Sequence, residues 1–474
     1  MTTAYNKETL AALLAPWKQE HLLNFWDELT DEQKDILGAQ IIGINWEQVT
    51  KWFRNVTSED ADSQAVPFDK LIPAPYVALE AASQDDKAMQ KKARELGEEL
   101  LRSGKVAGFT VAGGQGTRLG FDGPKGTYCF SEIRNASLFQ CFAEALLCNQ
   151  KKYGTVIPWY IMTSPANHAN TVAFFEANTY FGLEKANVRF FTQGTLPGFS
   201  TDGKVLMESK YQLALFANGH GGTLAALRDS GTLDDMEARG VEYLAYWQVD
   251  NPMVTVCDPL FIGLHALTGS EMSSRALIKR DAMEKLGHFT LLDGRLVIIE
   301  YSDMPDNLLQ KRDGDGRLTF RAGSPAIHVL SRTFIQRLTE GDTLNLLPHK
   351  ATKKISFVAE DGSIVKPSAP NGIKLEFFIF DALPLAANPL ILEADRDEQF
   401  AAIKNAEGQD SPASCRAAMA ARTAKWLKAA GVELPEGAVV ELPLSMAVCA
   451  EDAAALVKEG YLPAKFTATA RIAL

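Results

Sequence analysis

The chain has 474 residues, of which 46% are hydrophobic and 23% are charged, and its formal net charge is −11. This length and mixture are typical of a globular protein with more than one domain. The negative charge argues against a nucleic acid or an anionic membrane surface as the main partner. An anionic substrate would therefore need a local basic pocket.

The six cysteines have neither a C-x-x-C spacing nor a histidine at zinc-finger distance, which predicts reduced thiols in or near the core. They are Cys129, Cys141, Cys148, Cys257, Cys415 and Cys449. The N-terminal segment lacks the apolar run of a secretory signal, and no run reaches the length of a membrane span. We therefore expect a cytoplasmic protein that does not bind a membrane.

The first part of the chain predicts helices, because Leu and Trp recur at helical spacing between residues 10 and 29. Thr30 followed by Gln33 fits a capping box that begins a further helix. Residues 55–75 are polar and rich in proline, so they predict a connector, and a helix follows at about 84–103. We predict that residues 1–103 form a helical N-terminal region.

From residue 104 the pattern becomes strand, loop and helix in turn, with near-continuous apolar strands. Such strands predict a parallel sheet that helices cover on both faces, and ligands bind such sheets at the carboxyl ends of the strands. A glycine-rich loop, "TQGTLPGF" and "VDNP" occupy three of those ends. We predict a catalytic α/β domain over residues 104–405. Its strand candidates are residues 106–112, 156–164, 188–193 and 241–250.

The last part of the chain predicts a small α+β C-terminal domain at 406–474. Ser411 followed by Pro412 fits the N-cap and first position of a helix that ends at Gly431. Short strands, "AVVELP" and "KFTATARI", then lie around one more helix.

The glycine-rich loop is in "FTVAGGQGTRLGFDGPKGTYCF", residues 109–130. Its glycines at 113, 114, 116 and 120 do not fit the dinucleotide motif G-x-G-x-x-G. Lys125 follows a proline, and the residue directly after it is Gly126 instead of a Ser or Thr, so the Walker A motif is excluded too. The loop fits another kind of phosphate-binding turn, in which Arg118 forks onto a phosphate and Lys125 supplies a compact charge. The alternative is an ordinary turn with solvated charges.

The motif "AGGQGTRLG…PKG" resembles the nucleotide loop of the UDP-sugar pyrophosphorylases, most closely the eukaryotic-type UDP-N-acetylglucosamine pyrophosphorylases. Further blocks of the resemblance follow in order: "QEHLLNFWDEL", "WYIMTS", "TQGTLPGF", "ALRDSGTLDDM", "VDNP", "VIIEYSDMP", "PNGIKLEFFIFD" and "IKNA". Together they cover roughly residues 10–405, whereas the C-terminal part matches weakly.

The resemblance implies a nucleotidyltransferase fold of the GT-A or Rossmann-like type, with a mainly parallel sheet. It implies that UTP and a sugar 1-phosphate react to give a UDP-sugar and pyrophosphate, with Mg²⁺ or Mn²⁺ as cofactor. The sugar expected is N-acetylglucosamine. The resemblance specifies no oligomeric state.

The resemblance also implies roles for individual residues. The nucleotide-binding residues would be Val111, Ala112, Gly113, Gly114, Gln193, Gly219, Asp250 and Lys374, with Asp250 also binding the metal. The catalytic residues would be Arg118, Lys125 and Lys404, and the sugar would contact His220, Glu300, Tyr301 and Ser324. From the residues alone, Asp250 could equally be a turn aspartate, and Lys374 a solvated surface lysine.

Two departures from the family pattern lie on the sugar side. The N-acetylglucosamine enzymes usually read "GNGG" where this chain reads "GHGG", so His220 replaces an asparagine. A second asparagine of the family appears here as Ser324, after Gly323. A UDP-glucose or broad UDP-sugar pyrophosphorylase is therefore an alternative, and a non-catalytic nucleotide-sugar binding protein is another. His220 could also be a histidine that hydrogen-bonds to the local backbone.

Overall fold

The computed structural model describes residues 4–58, 66–342, 344–466 and 472–473. The chain packs as two units, each assembled from separate segments. The smaller unit comprises Met1–Pro67, Gln193–Thr223 and Asn345–Asp381, and the larger unit Phe68–Thr192, Leu224–Leu344 and Ala382–Leu474. The division of the sequence into 1–103, 104–405 and 406–474 stays a prediction.

The larger unit is built on one sheet. Its strands are β1 (Ile72–Pro73), β2 (Val106–Val111), β3 (Trp159–Thr163), β4 (Val188–Thr192), β5 (Tyr243–Gln248), β6 (Met272–Ile278), β7 (Gly287–Leu292), β8 (Arg295–Ile299), β9 (Ala322–Ser324), β10 (His328–Ser331) and β11 (Leu390–Glu393). The order is β1-β7-β9-β6-β10-β5-β2-β3-β4, with β8 beside β7 and β11 beside β6.

The four strands predicted from the sequence are β2, β3, β4 and β5, and they lie side by side. β5 pairs with β2, β2 with β3 and β3 with β4, each time in parallel. β2 and β3 are almost fully buried, as near-continuous apolar strands require. The α/β fold is therefore confirmed. Beyond β5 the sheet continues mainly with antiparallel pairs, starting at β10, although β6 and β11 pair in parallel, so the complete sheet is mixed.

Several helix predictions are confirmed at their caps. Thr30 accepts from the Gln33 amide in a capping box, and Ser411 caps a helix whose first residue is Pro412. The α-helices are Lys7–Leu14, Asp31–Ile42, Trp46–Thr57, Gln84–Arg102, Leu138–Tyr153, His168–Ala177, Thr223–Asp229, Thr232–Ala238, Pro259–Leu267, Asp306–Leu309, Arg332–Leu338, Arg396–Gln399, Pro412–Ala429 and Ala450–Lys458.

The smaller unit combines the N-terminal helices with short antiparallel strands. Gly372–Glu376 pairs with His349–Lys353 on one side and with Phe199–Ser200 on the other. Trp52 of the third helix packs edge-on against Phe377, with ring centroids 4.9 Å apart. The remaining strand pairs are Thr195–Pro197 with Leu215–Ala217, Met207–Ser209 with Gln212–Leu213, and Phe357–Val358 with Ile364–Val365.

The C-terminal residues belong to the larger unit. Val440–Glu441 pairs in parallel with Ile472–Ala473, and Ala450–Lys458 is the predicted helix. Most of the predicted strand "KFTATARI" lies outside the described residues, as does the middle of the predicted connector at 55–75. Within the described part of the chain, every helix is too short or too polar to cross a membrane.

The cysteine prediction holds for burial with one exception. Cys141, Cys148, Cys257 and Cys415 are buried and Cys449 is half-buried, all as free thiols. Cys129 is exposed, so its prediction as a core or near-core thiol is wrong. It lies on the loop between the glycine-rich segment and helix Leu138–Tyr153, where an isolated bridge to Ser137 leaves its side chain at the surface.

Two helices of the larger unit cross at glycines. A Cβ atom on Gly263 would lie 1.6 Å from the carbonyl oxygen of Ala93, and one on Gly97 would lie 1.8 Å from that of Pro259. Because the atoms in conflict belong to backbones, helix Gln84–Arg102 could admit a methyl group only by moving away from helix Pro259–Leu267.

We predict that Gly263→Ala lowers the free energy of unfolding by about 1–3 kcal/mol or more, because overpacking at a backbone contact has no flexible side chain to absorb it. Urea denaturation followed by circular dichroism measures the change. Gly314→Ala is the matched control, since a Cβ there meets nothing within 4 Å. Equal stability of the two variants would contradict the prediction.

Candidate active site

The glycine-rich loop begins where β2 ends and is fixed there by a buried asparagine. The Ala112 amide continues the sheet by donating to the Met162 carbonyl at 2.7 Å. The Asn167 side chain donates to the carbonyls of Ala112 and Gly114 at 2.9 and 3.3 Å. Asn167, the residue before helix His168–Ala177, therefore sets the path of the loop.

The glycines of this loop differ in why a side chain is absent. A Cβ on Gly126 would lie 2.1 Å from the Phe139 ring, so packing alone requires that glycine. A Cβ on Gly114 would meet nothing within 4 Å. Because the Gly114 carbonyl also accepts from the Lys125 amide at 3.0 Å, its backbone is held in place while its outer side is open to a ligand.

Asp250 lies beside the start of the loop. β5 is the parallel neighbour of β2, and the Val249 amide donates to the Val111 carbonyl at 3.1 Å. Asp250 follows immediately and is half-buried. The sheet therefore places Asp250 at the same edge as the end of β2, where the glycine-rich loop begins, as the strand ends predicted.

A third segment joins them at what we call the Ile403 junction, formed by Lys125, Asp250, Ile403 and Lys404. The Ile403 amide donates to the Asp250 carbonyl at 2.7 Å. The Lys125 ammonium lies 3.5 Å from the Ile403 carbonyl, a long hydrogen bond. The Asp250 carbonyl, the Lys125 ammonium and the residue before Lys404, from widely separated parts of the sequence, thus meet at Ile403.

Asn251 secures this junction. Its side-chain oxygen accepts from the Ala401 amide at 3.1 Å, and its side-chain nitrogen donates to the Gln399 carbonyl at 2.9 Å. Asn251 is buried, and the bond to Gln399 is buried with it, whereas the bond from Ala401 is part-buried. In the sequence the motif "VDNP" drew attention to the aspartate, and only the turn-forming habit of Asn-Pro hinted at its neighbour.

Two of the predicted sugar residues are also brought together. Ser324 on β9 is the register partner of Gly287 on β7. A Cβ on Gly287 would lie 3.0 Å from a carboxylate oxygen of Glu300, so Glu300 and Ser324 lie beside the same glycine. Tyr301 is exposed at the next position, and Arg118 is exposed on the 3₁₀ turn Thr117–Leu119.

In the smaller unit, the "GHGG" turn is held tightly by the backbone that follows strand Gly372–Glu376. Gly219 has φ of +86°, and a Cβ there would lie 2.4 Å from the Phe377 carbonyl oxygen. The Gly221 amide donates to that same carbonyl at 2.8 Å, and the Phe377 amide donates to the Asn218 carbonyl at 2.7 Å. Only glycine fits such a conformation and contact.

His220 sits within this turn with a defined protonation. The Ile379 amide donates to its Nδ1 at 3.2 Å, and its ring stacks on Phe378 with centroids 5.3 Å apart. Burial lowers the pKa of His220 to about 4. The ring is therefore neutral at pH 7, and since Nδ1 accepts, its proton is on Nε2. The backbone hydrogen bond considered as an alternative for His220 is thus present.

Two further predicted residues belong to the smaller unit. Gln193 is buried and directly follows β4 in the sequence. Lys374 is half-buried and donates to Glu376 at 2.8 Å, so it is neither solvated nor unpaired. An anion at Lys374 would compete with that carboxylate.

The metal-binding side chains of the candidate site fit an ion that is bound partly by the phosphates of the substrate. Among the described residues, no group of three or more His, Cys, Asp or Glu side chains is arranged to hold an ion. Asp250 offers one carboxylate at the Ile403 junction. Mg²⁺ is commonly held by one or two carboxylates together with phosphate oxygens and water, and Asp250 fits that pattern.

Comparisons with known proteins identify the family of this chain. The sequence model of the UDPGP family, described as UTP–glucose-1-phosphate uridylyltransferase, matches residues 47–420. Human UDP-N-acetylhexosamine pyrophosphorylase-like protein 1 is 36% identical over 92% of this chain and 89% of its own length. The UDP-N-acetylglucosamine pyrophosphorylase of Saccharomyces cerevisiae is 34% identical over 92% of this chain and 94% of its own.

The fold also matches a solved structure, that of the uridine diphosphate N-acetylglucosamine pyrophosphorylase from Trypanosoma brucei. The TM-score is 0.81 at 24% identity, over 100% of this chain and 99% of the other. At that identity the match demonstrates a shared fold.

Proposed function

We propose that this chain, which belongs to the UDPGP family, is a uridylyltransferase that converts UTP and a sugar 1-phosphate into a UDP-sugar and pyrophosphate. The observation that carries the proposal is the Ile403 junction, where the Asp250 carbonyl and the Lys125 ammonium both contact Ile403, the residue before Lys404. The sugar we propose is N-acetylglucosamine, because the relatives that match most of the chain carry its name.

The chemistry requires alignment more than base catalysis. The sugar phosphate already carries an anionic oxygen, which attacks the α-phosphorus of UTP. A new P–O bond forms there as the bond to the bridging oxygen of the β-phosphate breaks, and pyrophosphate leaves with that electron pair. Holding two well-aligned reactants can lower such a barrier by about 7–11 kcal/mol.

The larger unit would hold most of the nucleotide. The backbone of Val111, Ala112, Gly113 and Gly114 would contact uracil and ribose, and the open face of Gly114 permits that approach. Lys125 and Lys404, together with the exposed Arg118, would neutralise the phosphates as charge moves to the leaving group. Mg²⁺ or Mn²⁺, bound by Asp250 and phosphate oxygens, would supply further charge neutralisation.

The residues of the smaller unit would contribute recognition. Gln193 would contact uracil and Gly219 would lie against the nucleotide, while Lys374 would leave Glu376 to bind a phosphate. His220 would offer the sugar phosphate a neutral Nε2–H donor, since its Nδ1 is engaged by Ile379. In the larger unit, Glu300, Tyr301 and Ser324 stay the proposed sugar contacts.

Two other functions are tested by the same assays. His220 and Ser324 both replace asparagines of the N-acetylglucosamine enzymes, which favours UDP-glucose or broad UDP-sugar synthesis as the second candidate. A binding protein without catalysis is the third, although Arg118, Lys125 and Asp250 are all present. We propose a cytoplasmic location, as the sequence predicts.

Pyrophosphate release from UTP and Mg²⁺ with a panel of sugar 1-phosphates tests the function. We predict release by the wild type and a loss of about 10²–10³-fold in kcat for Lys125→Ala, because a phosphate charge loses its partner. Lys91→Ala, an exposed lysine on helix Gln84–Arg102, is the control and should match the wild type. If the wild type releases no pyrophosphate with any sugar 1-phosphate, the non-catalytic binding protein is favoured. Near-normal turnover of Lys125→Ala would remove that lysine from the mechanism.

We predict that His220→Asn raises the ratio of kcat/KM for N-acetylglucosamine 1-phosphate over glucose 1-phosphate by about tenfold, roughly one hydrogen bond. The reason is that asparagine restores the amide that the N-acetylglucosamine enzymes present. The control is His349→Asn, since His349 packs on the same Phe378 at 4.5 Å. An unchanged ratio in His220→Asn would exclude His220 as a selector.

A further inference from the structure

Arg422 is a buried arginine that reaches the candidate site from the C-terminal part of the chain. It lies on helix Pro412–Ala429 and is only 5% exposed. Its Nη1 donates to the carbonyls of Met253 and Glu398, both at 2.9 Å. One nitrogen of the C-terminal helix therefore joins two other segments of the larger unit.

The burial of this guanidinium is unfavourable by itself. It lowers the pKa of Arg422 from its usual value, and the Nε atom lacks a hydrogen-bond partner among the described residues. The group lies 4.9 Å from the Trp426 ring, which offsets part of the desolvation. A hydrophobic side chain would fill the same space without that cost. An arginine thus provides hydrogen bonds to the two carbonyls, which a leucine or methionine could not make.

Both carbonyls belong to segments of the Ile403 junction. Met253 lies on the turn that follows Asp250, and Glu398 lies on the short helix Arg396–Gln399, which leads to Lys404. The same two segments are joined by the two hydrogen bonds of the Asn251 side chain and by the bond from the Ile403 amide to Asp250. Arg422 adds a further link between these two segments, through its hydrogen bonds to Met253 and Glu398.

We propose that Arg422 is a positioning residue for the uridylyl transfer, which keeps Asp250 and Lys404 at a fixed separation by holding their two segments together. It touches neither substrate and acts only through the backbone. The inference rests on the proposed function, and it gives helix Pro412–Ala429 a part in the reaction. Loss of these hydrogen bonds would misalign Lys404, the proposed phosphate ligand, relative to Asp250, the proposed metal ligand. A reaction that depends on alignment is slowed strongly by such a displacement.

The test compares Arg422→Met, Arg422→Lys and the control Lys428→Met, an exposed position on the same helix. Two quantities are measured on folded protein: kcat with saturating UTP, Mg²⁺ and sugar 1-phosphate, and hydrogen–deuterium exchange of the 399–404 segment. We expect Arg422→Met to lose about 10- to 100-fold in kcat. The amides of Ala401 and Ile403 should exchange faster, while those of β2 and β3 are unchanged.

Arg422→Lys should restore part of both quantities, because an ammonium can still donate to the two carbonyls. Lys428→Met should equal the wild type. If Arg422→Met does not fold, Arg422→Lys and Arg422→Gln are compared in the same way, with the smaller loss expected for lysine.

A lower melting temperature with unchanged kcat per folded molecule would overturn the inference, because the arginine would then serve stability alone. Unchanged exchange at Ala401 and Ile403 would overturn it as well. Failure of the proposed function looks different, since the wild type itself would then release no pyrophosphate, while the exchange comparison would still report on the role of Arg422 in the junction.

Discussion

The hydrogen bond from the Ile403 amide to the Asp250 carbonyl, 2.7 Å long, joins two parts of the chain that the central sheet alone would leave apart. The sheet explains why Asp250 lies beside the glycine loop, because β5 and β2 are parallel neighbours whose carboxyl ends meet. It does not explain Lys404, which comes from a segment about 150 residues later. The segment that carries Lys404 is held there by the hydrogen bond of the Ile403 amide to Asp250 and by the two hydrogen bonds of the Asn251 side chain.

This arrangement suits a reaction between two polyanions in an acidic protein. With a net charge of −11, the molecule as a whole does not attract phosphates, so the cations must be local and well placed. We propose that Lys125, whose ammonium contacts the Ile403 carbonyl, and Lys404, the next residue along the chain, meet this need. His220 follows the same logic in the smaller unit, since the Ile379 amide fixes its tautomer and burial keeps it neutral.

The sequence supported those features that depend on local patterns. The parallel strands, the caps at Thr30 and Ser411 and the exclusion of two familiar glycine motifs all follow from spacing within a few residues. Asn167, Asn251 and Arg422 were missed because their partners are distant in the chain, and a lone asparagine or a helical arginine carries no sign of its acceptor. The antiparallel half of the sheet was missed for a similar reason, since short strands such as β7 and β9 gain their identity from pairing. Cys129 was misjudged because the burial habit of cysteine says nothing about a surface loop.

The most direct test of the junction is a double-mutant cycle in kcat between Asn251→Ala and Lys404→Ala. If Asn251 works by holding the segment of Lys404 against Asp250, its loss should cost little more once that lysine is gone. The two positions should then be coupled by at least about 1.4 kcal/mol, or tenfold in kcat. Losses that simply add, with the double variant slower by the product of the two single effects, would contradict the account.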